Sequence, residues 1–457
     1  MRSLLTAAYA LCCAVSLQAS LSQASDLPTA VTKSDFPASS ATNVMLGRDL
    51  FFDPILSGNK NISCATCHHP SMGSADGVSL SLGEGGIGLG LARSADPENH
   101  PHARIPRNAP SLFNLGAAEF TTLFHDGRVQ RDDTVAFNIR MPPGMELERA
   151  VPSPLAAQAI LPITSHDEMG GQAGENDVAD ALAGGKIKGP GGAWAILVAR
   201  IEAIPEYRAR FDWIIGPQQP IHITDIGRVL ADYIAFDFRT TQSPYDAFLR
   251  GEDMALSNTQ VRGMSLFYGK AGCADCHSGA FQTDHDFHAI GIPQFGRGKG
   301  HGDGYADHGH SAVTGNKADI YKFRTPSLRN VTLTAPYGHN GAYARLEDMV
   351  RHHLDPLTML AEYDIADHAR LHNVSLRASD TAALDDFDEV LRVGMAVELE
   401  PIDLSDGEVA ALMAFLGALE DPIARTGRLG VPDAVPSGLP LDPFQAGVGQ
   451  VLGSGAE

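Results

Sequence analysis

Cysteine, tryptophan and long apolar runs are all scarce in this chain of 457 residues. Of the six cysteines, Cys12 and Cys13 lie in an N-terminal apolar run, so four remain for the rest of the chain. If these four thiols are bound to another group, none remains for a disulfide framework. No later segment has the roughly 20 apolar residues that a membrane-spanning helix needs, which excludes a membrane span.

Basic residues are also few in comparison with acidic ones. The chain has 34 Lys and Arg against 55 Asp and Glu, a formal net charge of −21. This balance argues against nucleic acid or an anionic membrane as a partner. It permits attraction of a basic partner protein, although a total charge cannot locate a docking surface, and solubility is the simpler meaning.

The four remaining cysteines form two Cys-x-x-Cys-His pentads, at residues 64–68 and 273–277. In such a pentad the two thiols form thioethers to a haem and the adjacent histidine ligates its iron. Zinc sites and thioredoxin-like redox pairs share the Cys-x-x-Cys spacing, but they do not explain a histidine attached to both copies. The sequence therefore predicts two covalently bound haem c groups, with His68 and His277 as proximal ligands. Cys64, Cys67, Cys273 and Cys276 are the attachment residues.

The N-terminus has the pattern of a secretory signal peptide. Arg2 is followed by a short apolar stretch and by the small residues of Ser22-Gln23-Ala24. This pattern predicts a signal peptide over residues 1–24, cleaved near Ala24. An exported protein whose thiols are all committed to haem fits the bacterial periplasm.

The length suits two or three domains, and one haem per domain is the simplest division. We predict a mainly α fold made of two cytochrome c-type domains with long loop insertions. The predicted ranges are 25–241 for the N-terminal domain, 242–425 for the C-terminal domain and 426–457 for an irregular tail.

Apolar periodicity predicts the main helices of both domains. One short helix precedes each pentad, over residues 45–52 and after the N-cap Ser257, and further helices cover 224–239 and 409–419. The Gly-rich segments 76–105 and 170–192 are predicted to be loops, the first of them flexible. Trp194 and Trp213 are both predicted to lie in the core.

Several motifs resemble those of one family. They are Leu-Gly-Arg-x-Leu-Phe-Phe-Asp-Pro before the first pentad, Arg-Asn-Ala-Pro-Ser-Leu-Phe-Asn at 107–114, His-Asp-Gly-Arg at 125–128, Glu168-Met169, and the run from Phe323 to Gly341. Over residues 42–425 the chain resembles the dihaem bacterial cytochrome c peroxidase and MauG superfamily.

This resemblance implies an enzyme in which hydrogen peroxide reacts at the N-terminal haem and electrons pass through the C-terminal haem. In a peroxidase the electrons come from a small cytochrome c or a cupredoxin. In a MauG-type oxidase they come from Trp or Tyr side chains of a partner protein. A non-catalytic dihaem electron-transfer cytochrome is a third hypothesis, and a homodimer is left open.

The resemblance also assigns residues on the peroxide side. Glu168 matches the family's distal glutamate, which moves a proton between the two peroxide oxygens; His166 and Asp167 are neighbouring alternatives. In many members a histidine on a loop caps the resting haem. His100 has the family's spacing for this role, His102 is a near rival, and a surface histidine is the simpler interpretation.

The second axial ligand of the C-terminal haem follows from periodicity. His353 lies on an apolar stripe with Leu346, Met349, Val350 and Leu357, on a helix that Pro356 would end or kink. The stripe predicts that His353 is a haem ligand, against the alternative of a buried structural histidine, and that His352 faces solvent. The family usually has Met or Tyr at this position, so a histidine implies a lower haem potential than Met gives.

Two further assignments come from the resemblance alone. His125 occupies a position where family members commonly have a Trp that relays electrons between the haems. Transfer here runs through His125, through another group or directly. A calcium ion is implied between the domains, bound by the Asn108 side chain and the backbone carbonyls of Thr334 and Pro336, with water completing an all-oxygen ligand set.

Overall fold

The structure is a computed structural model, and it describes residues 27–299, 305–372 and 375–442. The predicted signal peptide and the end of the tail lie outside the described residues. Among the described helices, none combines the length and the apolar composition needed to cross a membrane. The described part of the chain is rich in helices, and its strands are only two or three residues long.

The N-terminal half contains the following elements. Its helices are α1 Ala41–Phe52, α2 Cys64–Cys67, α3 Pro154–Gln158, α4 Asp177–Ala183, α5 Ala193–Glu202, α6 Pro205–Ile215 and α7 Ile223–Asp237. Its strands are β1 Gly86–Ile87, β2 Ser94–Ala95, β3 Thr122–Leu123, β4 Val129–Arg131 and β5 Ile139–Arg140. The pairs β1–β2, β3–β4 and β4–β5 are antiparallel.

The C-terminal half continues in the same style. Its helices are α8 Pro244–Leu249, α9 Asn258–Phe267, α10 Ser311–Thr314, α11 Leu346–Leu354, α12 Pro356–Ala361, α13 Ile365–His368, α14 Ala378–Asp385, α15 Phe387–Met395 and α16 Asp406–Ala418. The strands β6 Phe287–His288 and β7 Phe323–Arg324 pair antiparallel. The predicted helices before each pentad and the predicted helices near 224–239 and 409–419 are confirmed.

In each half, the helix before the pentad crosses a later helix closely, and the crossing is made through a glycine. A Cβ on Gly47 of α1 would lie 1.9 Å from the carbonyl oxygen of Val229 on α7. A Cβ on Gly263 of α9 would lie 1.8 Å from the carbonyl oxygen of Ala411 on α16. Only glycine permits such an approach of two backbones. The helix before each pentad is therefore held against the last long helix of its half.

The buried apolar side chains form two main clusters that follow these crossings. The first contains residues of α1, α3, α5, α6 and α7, and the second contains residues of α8, α9 and α16 together with the chain near 331–343. Each cluster surrounds one pentad, and the domain boundary at residue 241 stays a prediction. The described part of the tail, up to residue 442, has no helix or strand, and Val435 joins the first cluster.

Both Gly-rich segments differ from the sequence prediction. The segment 170–192 contains helix α4, in which Val178, Ala179, Ala181 and Leu182 are buried. The segment 76–105 is not a free loop, because Leu80 and Leu82 are no more than 2% exposed. The guanidinium of Arg93 donates to the carbonyl oxygens of residues 82, 83 and 88 and holds the segment in the interior.

One of the two tryptophans is also misplaced by the sequence prediction. Trp194 is 2% exposed and lies in the first cluster, as predicted. Trp213 is 82% exposed, so its prediction as a core residue is wrong. Helix α6 buries Tyr207 and Phe211, and Trp213 follows Phe211 by two residues, which points it away from the core.

Candidate functional site

His68, His277 and His353 have one hydrogen-bond pattern in common, which His166 and His310 also show. The Nδ1 atom of each lies at hydrogen-bond distance from a backbone carbonyl oxygen: 3.0 Å for His68 and Ser74, 3.1 Å for His277 and Gln282, and 2.8 Å for His353 and Met349. A carbonyl only accepts, so Nδ1 must carry the ring proton. The lone pair of Nε2 then remains free for a metal, which is the usual arrangement of a histidine ligand.

Two of these imidazoles face each other. The ring centroids of His277 and His353 are 6.2 Å apart. Two metal–imidazole bonds of about 2 Å, plus roughly 1 Å from each nitrogen to its ring centre, require about 6 Å. The two side chains are therefore spaced to hold one iron between them. Burial lowers the pKa of His277 to about 4 and also lowers the pKa of His353, so both rings are neutral and able to ligate.

The neighbouring His352 is not on the solvent side, and the prediction that it faces solvent is wrong. Its side chain is fully buried, and burial lowers its pKa to about 3. Its Nε2 lies 2.7 Å from the carbonyl oxygen of Ile290 and its Nδ1 lies 2.9 Å from the hydroxyl of Tyr343. Both ring nitrogens are thus engaged, which leaves none for a metal. The predicted stripe also fails at Leu357, which is 51% exposed because Pro356 starts a new helix.

The four pentad thiols are free cysteines and half-buried. Cys64 and Cys67 span the single turn of α2, whose N-cap Ser63 forms a capping box with Thr66. Cys273 starts a 3-10 turn that ends before Cys276. Burial raises the pKa of all four thiols. Each pair lies beside a histidine with a free Nε2, so the residues fit the two predicted haem groups.

Glu168 belongs to a five-residue π-helical turn, His166–Gly170. Backbone bonds fix this turn on two sides: the amide of Gly58 donates to the carbonyl of Met169, and the amide of Glu84 donates to the carbonyl of Asp167. A Cβ on Gly83 would lie 2.1 Å from that same carbonyl. Such turns are rare and frequent at functional sites. The buried 76–105 segment therefore serves as a support for Glu168.

The carboxylate of Glu168 interacts with other charged groups near the first pentad. Its charge acts on the Cys67 thiol, whose pKa is raised chiefly by burial and also by Asp76 and Glu168. It also acts on two cations, Arg128 and Lys299. Burial, with the nearby charge of Arg128, lowers the pKa of Lys299 to about 8. Glu168 is thus one of three carboxylates, with Asp76 and Asp442, whose charges act on Cys67, and it is the one carried by the π-helical turn.

The two histidines considered for the capping role line a cavity of about 680 Å³. Its wall includes His100, His102, Arg297, Tyr305 and Arg377. The Nδ1 of His102 is 3.4 Å from the carboxylate of Asp167, the residue that precedes Glu168. Both histidines are exposed, so neither is held in a fixed ligand position, and the capping role of His100 stays a prediction.

His125 lies beside the proposed calcium ligand. Its Nε2 is 3.1 Å from the carbonyl oxygen of Asn108, and burial, together with the charge of Arg107, lowers its pKa to about 4. The backbone carbonyl of His125 accepts from the amide of Arg324 on β7. The side chain of His125 is therefore neutral and bonds to Asn108, while its backbone carbonyl joins the 125–128 loop to the C-terminal half.

The calcium prediction also meets a suitable environment. The Nδ2 of Asn108 donates to the carbonyl of Pro336 at 2.8 Å. Its Oδ1 is buried and has no hydrogen-bond partner among the described residues. A buried amide oxygen without a donor is unusual and suits a hard cation.

Sequence reasoning missed three of the site's residues. Arg93 carries no motif, and its role depends on carbonyls of a loop that periodicity cannot place. Arg128 was noted only as part of a motif, although its guanidinium lies 3.4 Å over the Phe124 ring and 3.0 Å from Asp126. Tyr343 follows a Gly-Ala pair in a loop, where no local pattern predicts burial.

The chain matches known proteins over most of its length. The family model described as di-haem cytochrome c peroxidase matches residues 41–254. The methylamine utilization protein MauG of Methylorubrum extorquens is 30% identical over 387 residues, which are 84% of this chain and 80% of that protein. The cytochrome-c peroxidase IdrP1 of a Pseudomonas species is 30% identical over 348 residues, or 71% of this chain and 74% of that protein.

A solved structure supports the same conclusion. A MauG-like protein associated with microbial copper homeostasis matches with a TM-score of 0.56 and 26% identity, over 87% of this chain and 95% of that one. The relatives include proteins named peroxidase and proteins named MauG. The chain belongs to the di-haem cytochrome c peroxidase and MauG family, and it is an oxidoreductase of the peroxidase type.

Proposed function

We propose that this chain is an exported di-haem peroxidase that reduces hydrogen peroxide at the His68 site with electrons that enter at the His277 site. One observation carries the proposal: the two sites differ in what faces the proximal imidazole. His277 faces His353 at 6.2 Å. No imidazole of the described residues makes a ring contact with His68. A haem at each site supplies an iron that can bind peroxide where its sixth position is open and exchange electrons where both positions are filled.

Glu168 is the residue that moves the proton. Reduction of peroxide needs a base to take the proton from one oxygen and to return it to the other. The turn that carries Glu168 is fixed by residues 58 and 84, so the backbone sets the direction in which the Glu168 side chain leaves the turn. His102, in the wall of the open cavity, lies 3.4 Å from Asp167, and we expect peroxide and water to enter from this side.

Glu168→Gln tests this role. The amide keeps the shape but cannot carry the proton, so the rate of the peroxide-dependent change in the haem spectrum should fall about 10²-fold or more. Asp167→Asn makes the same change in charge one residue away and should leave the rate within a few-fold of wild type. Equal rates for Glu168→Gln and wild type would remove Glu168 from the mechanism.

We place a calcium ion at Asn108, with the Thr334 and Pro336 carbonyls as further ligands. Metal analysis of the purified protein should find one calcium per chain. A change outside the ligand set weakens metal binding about tenfold. Asn108→Ala removes a ligand and should weaken calcium binding by more than that. Asn340→Ala is a matched control, because its amide donates to the Pro293 carbonyl at 2.9 Å and its Oδ1 is likewise buried without a partner among the described residues. Calcium retained in Asn108→Ala and lost in Asn340→Ala would contradict the assignment.

The electron donor is proposed to be a small basic redox protein. The four carboxylates Asp275, Asp284, Asp286 and Glu398 all act on the Cys276 thiol. Among the described residues, Lys322 is paired with Glu398, and His288 lies 2.9 Å from Asp284 and 3.8 Å from Glu398. An acidic edge beside the C-terminal haem site would attract a basic cytochrome c or cupredoxin.

The same half of the molecule carries an exposed apolar face. Helix α15 exposes Phe387, Leu391 and Met395 at a spacing of four residues, with exposed fractions of 75%, 50% and 78%. Leu357 of α12 is also half exposed, and it lies close to Gly394 of α15. Apolar contact surrounded by charge is typical of transient electron-transfer interfaces. The donor is therefore expected to dock on this side.

A MauG-type oxidase is the second candidate function, and one observation favours it. The imidazole of His353 stands where the peroxidases of the family usually have Met, and a second imidazole gives a lower potential. A lower potential hinders reduction by an ordinary cytochrome c and favours oxidation of a partner protein's Trp or Tyr. Steady turnover with reduced cytochrome c selects the peroxidase. Its absence, with long-lived oxidised states after peroxide, selects the oxidase, and inertness to peroxide leaves an electron-transfer cytochrome.

A periplasmic location is proposed on the N-terminal pattern and on the thiol use. Sequencing of the mature N-terminus should begin after Ala24. Retention of residues 1–24 in the purified holoprotein would contradict the proposal, because haem is attached after export.

A further inference from the structure

Tyr343 and His352 form a buried hydrogen-bonded pair that the proposed reaction does not use. Both side chains are fully shielded from water. The carbonyl of Ile290, 2.7 Å from Nε2 of His352, can only accept, so Nε2 carries the ring proton. The lone pair of Nδ1 therefore accepts the proton of the Tyr343 hydroxyl, 2.9 Å away. A phenol in the interior is thus bonded directly to a nitrogen base.

The pair lies next to the C-terminal haem site. His352 precedes His353 in the chain, and their ring centroids are 6.4 Å apart. The Tyr343 ring is 5.3 Å from that of His352, and His353 faces His277 at 6.2 Å. A short series of aromatic rings therefore connects the phenol with the two proposed axial ligands.

The surroundings suit oxidation of the phenol. A positive charge confined to a buried ring carries a large desolvation cost, so a buried tyrosine gives up an electron readily only when its proton leaves as well. His352 accepts that proton without movement of either side chain. The carboxylate of Asp348, which is 4% exposed and is paired with Arg345 at 2.6 Å, also acts on Tyr343.

We propose that the Tyr343–His352 pair is a redox site that stores one oxidising equivalent for the C-terminal haem. One electron passes from Tyr343 to the oxidised haem iron, which is reduced by one unit. The O–H bond of Tyr343 breaks, and its proton forms an N–H bond at Nδ1 of His352. The products are a neutral tyrosyl radical and an imidazolium, and one electron from a donor reverses the step. The oxidant is hydrogen peroxide, so this function rests on the peroxide chemistry proposed above.

The neighbouring Tyr363 provides a matched control. Its ring centroid is 5.6 Å from that of Tyr343. Its hydroxyl donates to the carbonyl of Ala342 at 2.7 Å, and a carbonyl is not a base that takes up a proton. Tyr363 therefore shares the location and the hydrogen-bond distance of Tyr343 but lacks the proton acceptor.

The experiment is rapid-freeze EPR of the holoprotein after addition of peroxide. An organic radical with tyrosine hyperfine structure is expected, and protein made with ring-deuterated tyrosine should lose that structure. Tyr343→Phe should lose the radical, whereas Tyr363→Phe should retain it. In His352→Asn the phenol keeps a hydrogen-bond partner that is not a base, and the radical should form about 10²-fold more slowly. A tyrosyl radical that persists in Tyr343→Phe, or no tyrosyl radical after the haem spectrum has changed, would overturn the proposal.

The failure of peroxide chemistry would be seen separately. If the haem spectra do not respond to peroxide, the proposed function fails, and the pair is then tested with a photo-generated ruthenium(III) oxidant on the same holoprotein. A radical at Tyr343 under that oxidant supports the redox site, and a radical confined to other residues refutes it. If a variant with a buried substitution does not fold, ring-deuterated tyrosine in the unmutated protein still shows whether the radical is a tyrosyl radical, with either oxidant.

Discussion

The two pentad regions begin alike and end differently. In each, a helix crosses a later helix at a glycine, a turn presents two thiols, and a histidine donates its Nδ1 proton to a carbonyl. What differs comes from distant segments. Helix α11 brings His353 to face His277. On the other side, the turn of Glu168 lies close to Cys67, with two cations near its carboxylate. We propose that what packs against the repeated motif makes one site saturated and the other reactive.

Removal of the facing imidazole should have the largest effect on this contrast. In His353→Ala, the His277 haem loses one of its two nitrogen ligands and should change from low spin to high spin, so that both haems resemble each other. Absorption and EPR spectra of the ferric protein measure the change. His352→Asn alters the adjacent residue and should leave the haem low spin. A low-spin spectrum in His353→Ala would mean that another group is the ligand.

The two regions should also differ in how the free energy of unfolding depends on pH. The pKa of one carboxyl group is raised in the first region, and that of another is lowered in the second. Burial raises the pKa of Asp76, near the first pentad, to about 6. The folded state then binds more protons than the unfolded state, so this residue's contribution falls as pH rises from about 4 to 6. Asp76→Asn should raise the free energy of unfolding at pH 7, by at most about 2–3 kcal/mol, and change it little at pH 4.

Asp284, near the second pentad, should behave in the opposite way. Burial acts to raise its pKa, but hydrogen bonds from His288 and Thr325 outweigh it and lower the pKa. Its contribution is present above the pKa of the unfolded state and is lost as pH falls through the folded value. Asp284→Asn should therefore destabilise the protein more at pH 7 than at pH 4. Denaturant unfolding at pH 4 and pH 7 measures the free energy of unfolding of both variants relative to wild type. If this difference changes with pH in the same direction for both variants, the assignment is contradicted.

A smaller effect is expected at the acidic edge of the second region. Asp275→Lys combined with Asp286→Lys, both exposed, should lower kcat/KM for a basic cytochrome c about tenfold at low ionic strength. The loss should shrink as salt is added, because screening removes long-range attraction. Asp133→Lys, an exposed position of the N-terminal half, is the control. Equal losses of kcat/KM in the double variant and in Asp133→Lys would show that the total charge of the protein, and not this edge, determines the reaction with the cytochrome.

Local pattern predicted most of the helices but less of the site. The pentads and the helices near 224–239 and 409–419 are local features, and the structure contains them. His352 was misplaced because α11 contacts neighbours on more than one side, so a polar residue off the apolar stripe is still buried, with partners at Ile290 and Tyr343.

Other errors have the same origin in tertiary contacts. Glycine content indicated a loop at 76–105, but the contacts of Arg93 and of the Glu168 turn decide its burial. Trp213 is an exception with a local origin: it was expected in the core from its apolar neighbours, whereas the helical period places it opposite the buried face of α6. Contacts between segments far apart in sequence carry this information, and composition does not.

The inequivalence of the two sites is tested most directly by EPR of the ferric and half-reduced holoprotein, before and after peroxide. We predict one low-spin haem with two imidazole ligands that does not bind peroxide, and one haem whose signal peroxide abolishes within the first turnover. Two low-spin haems that stay unchanged by peroxide, even after partial reduction, would contradict the account.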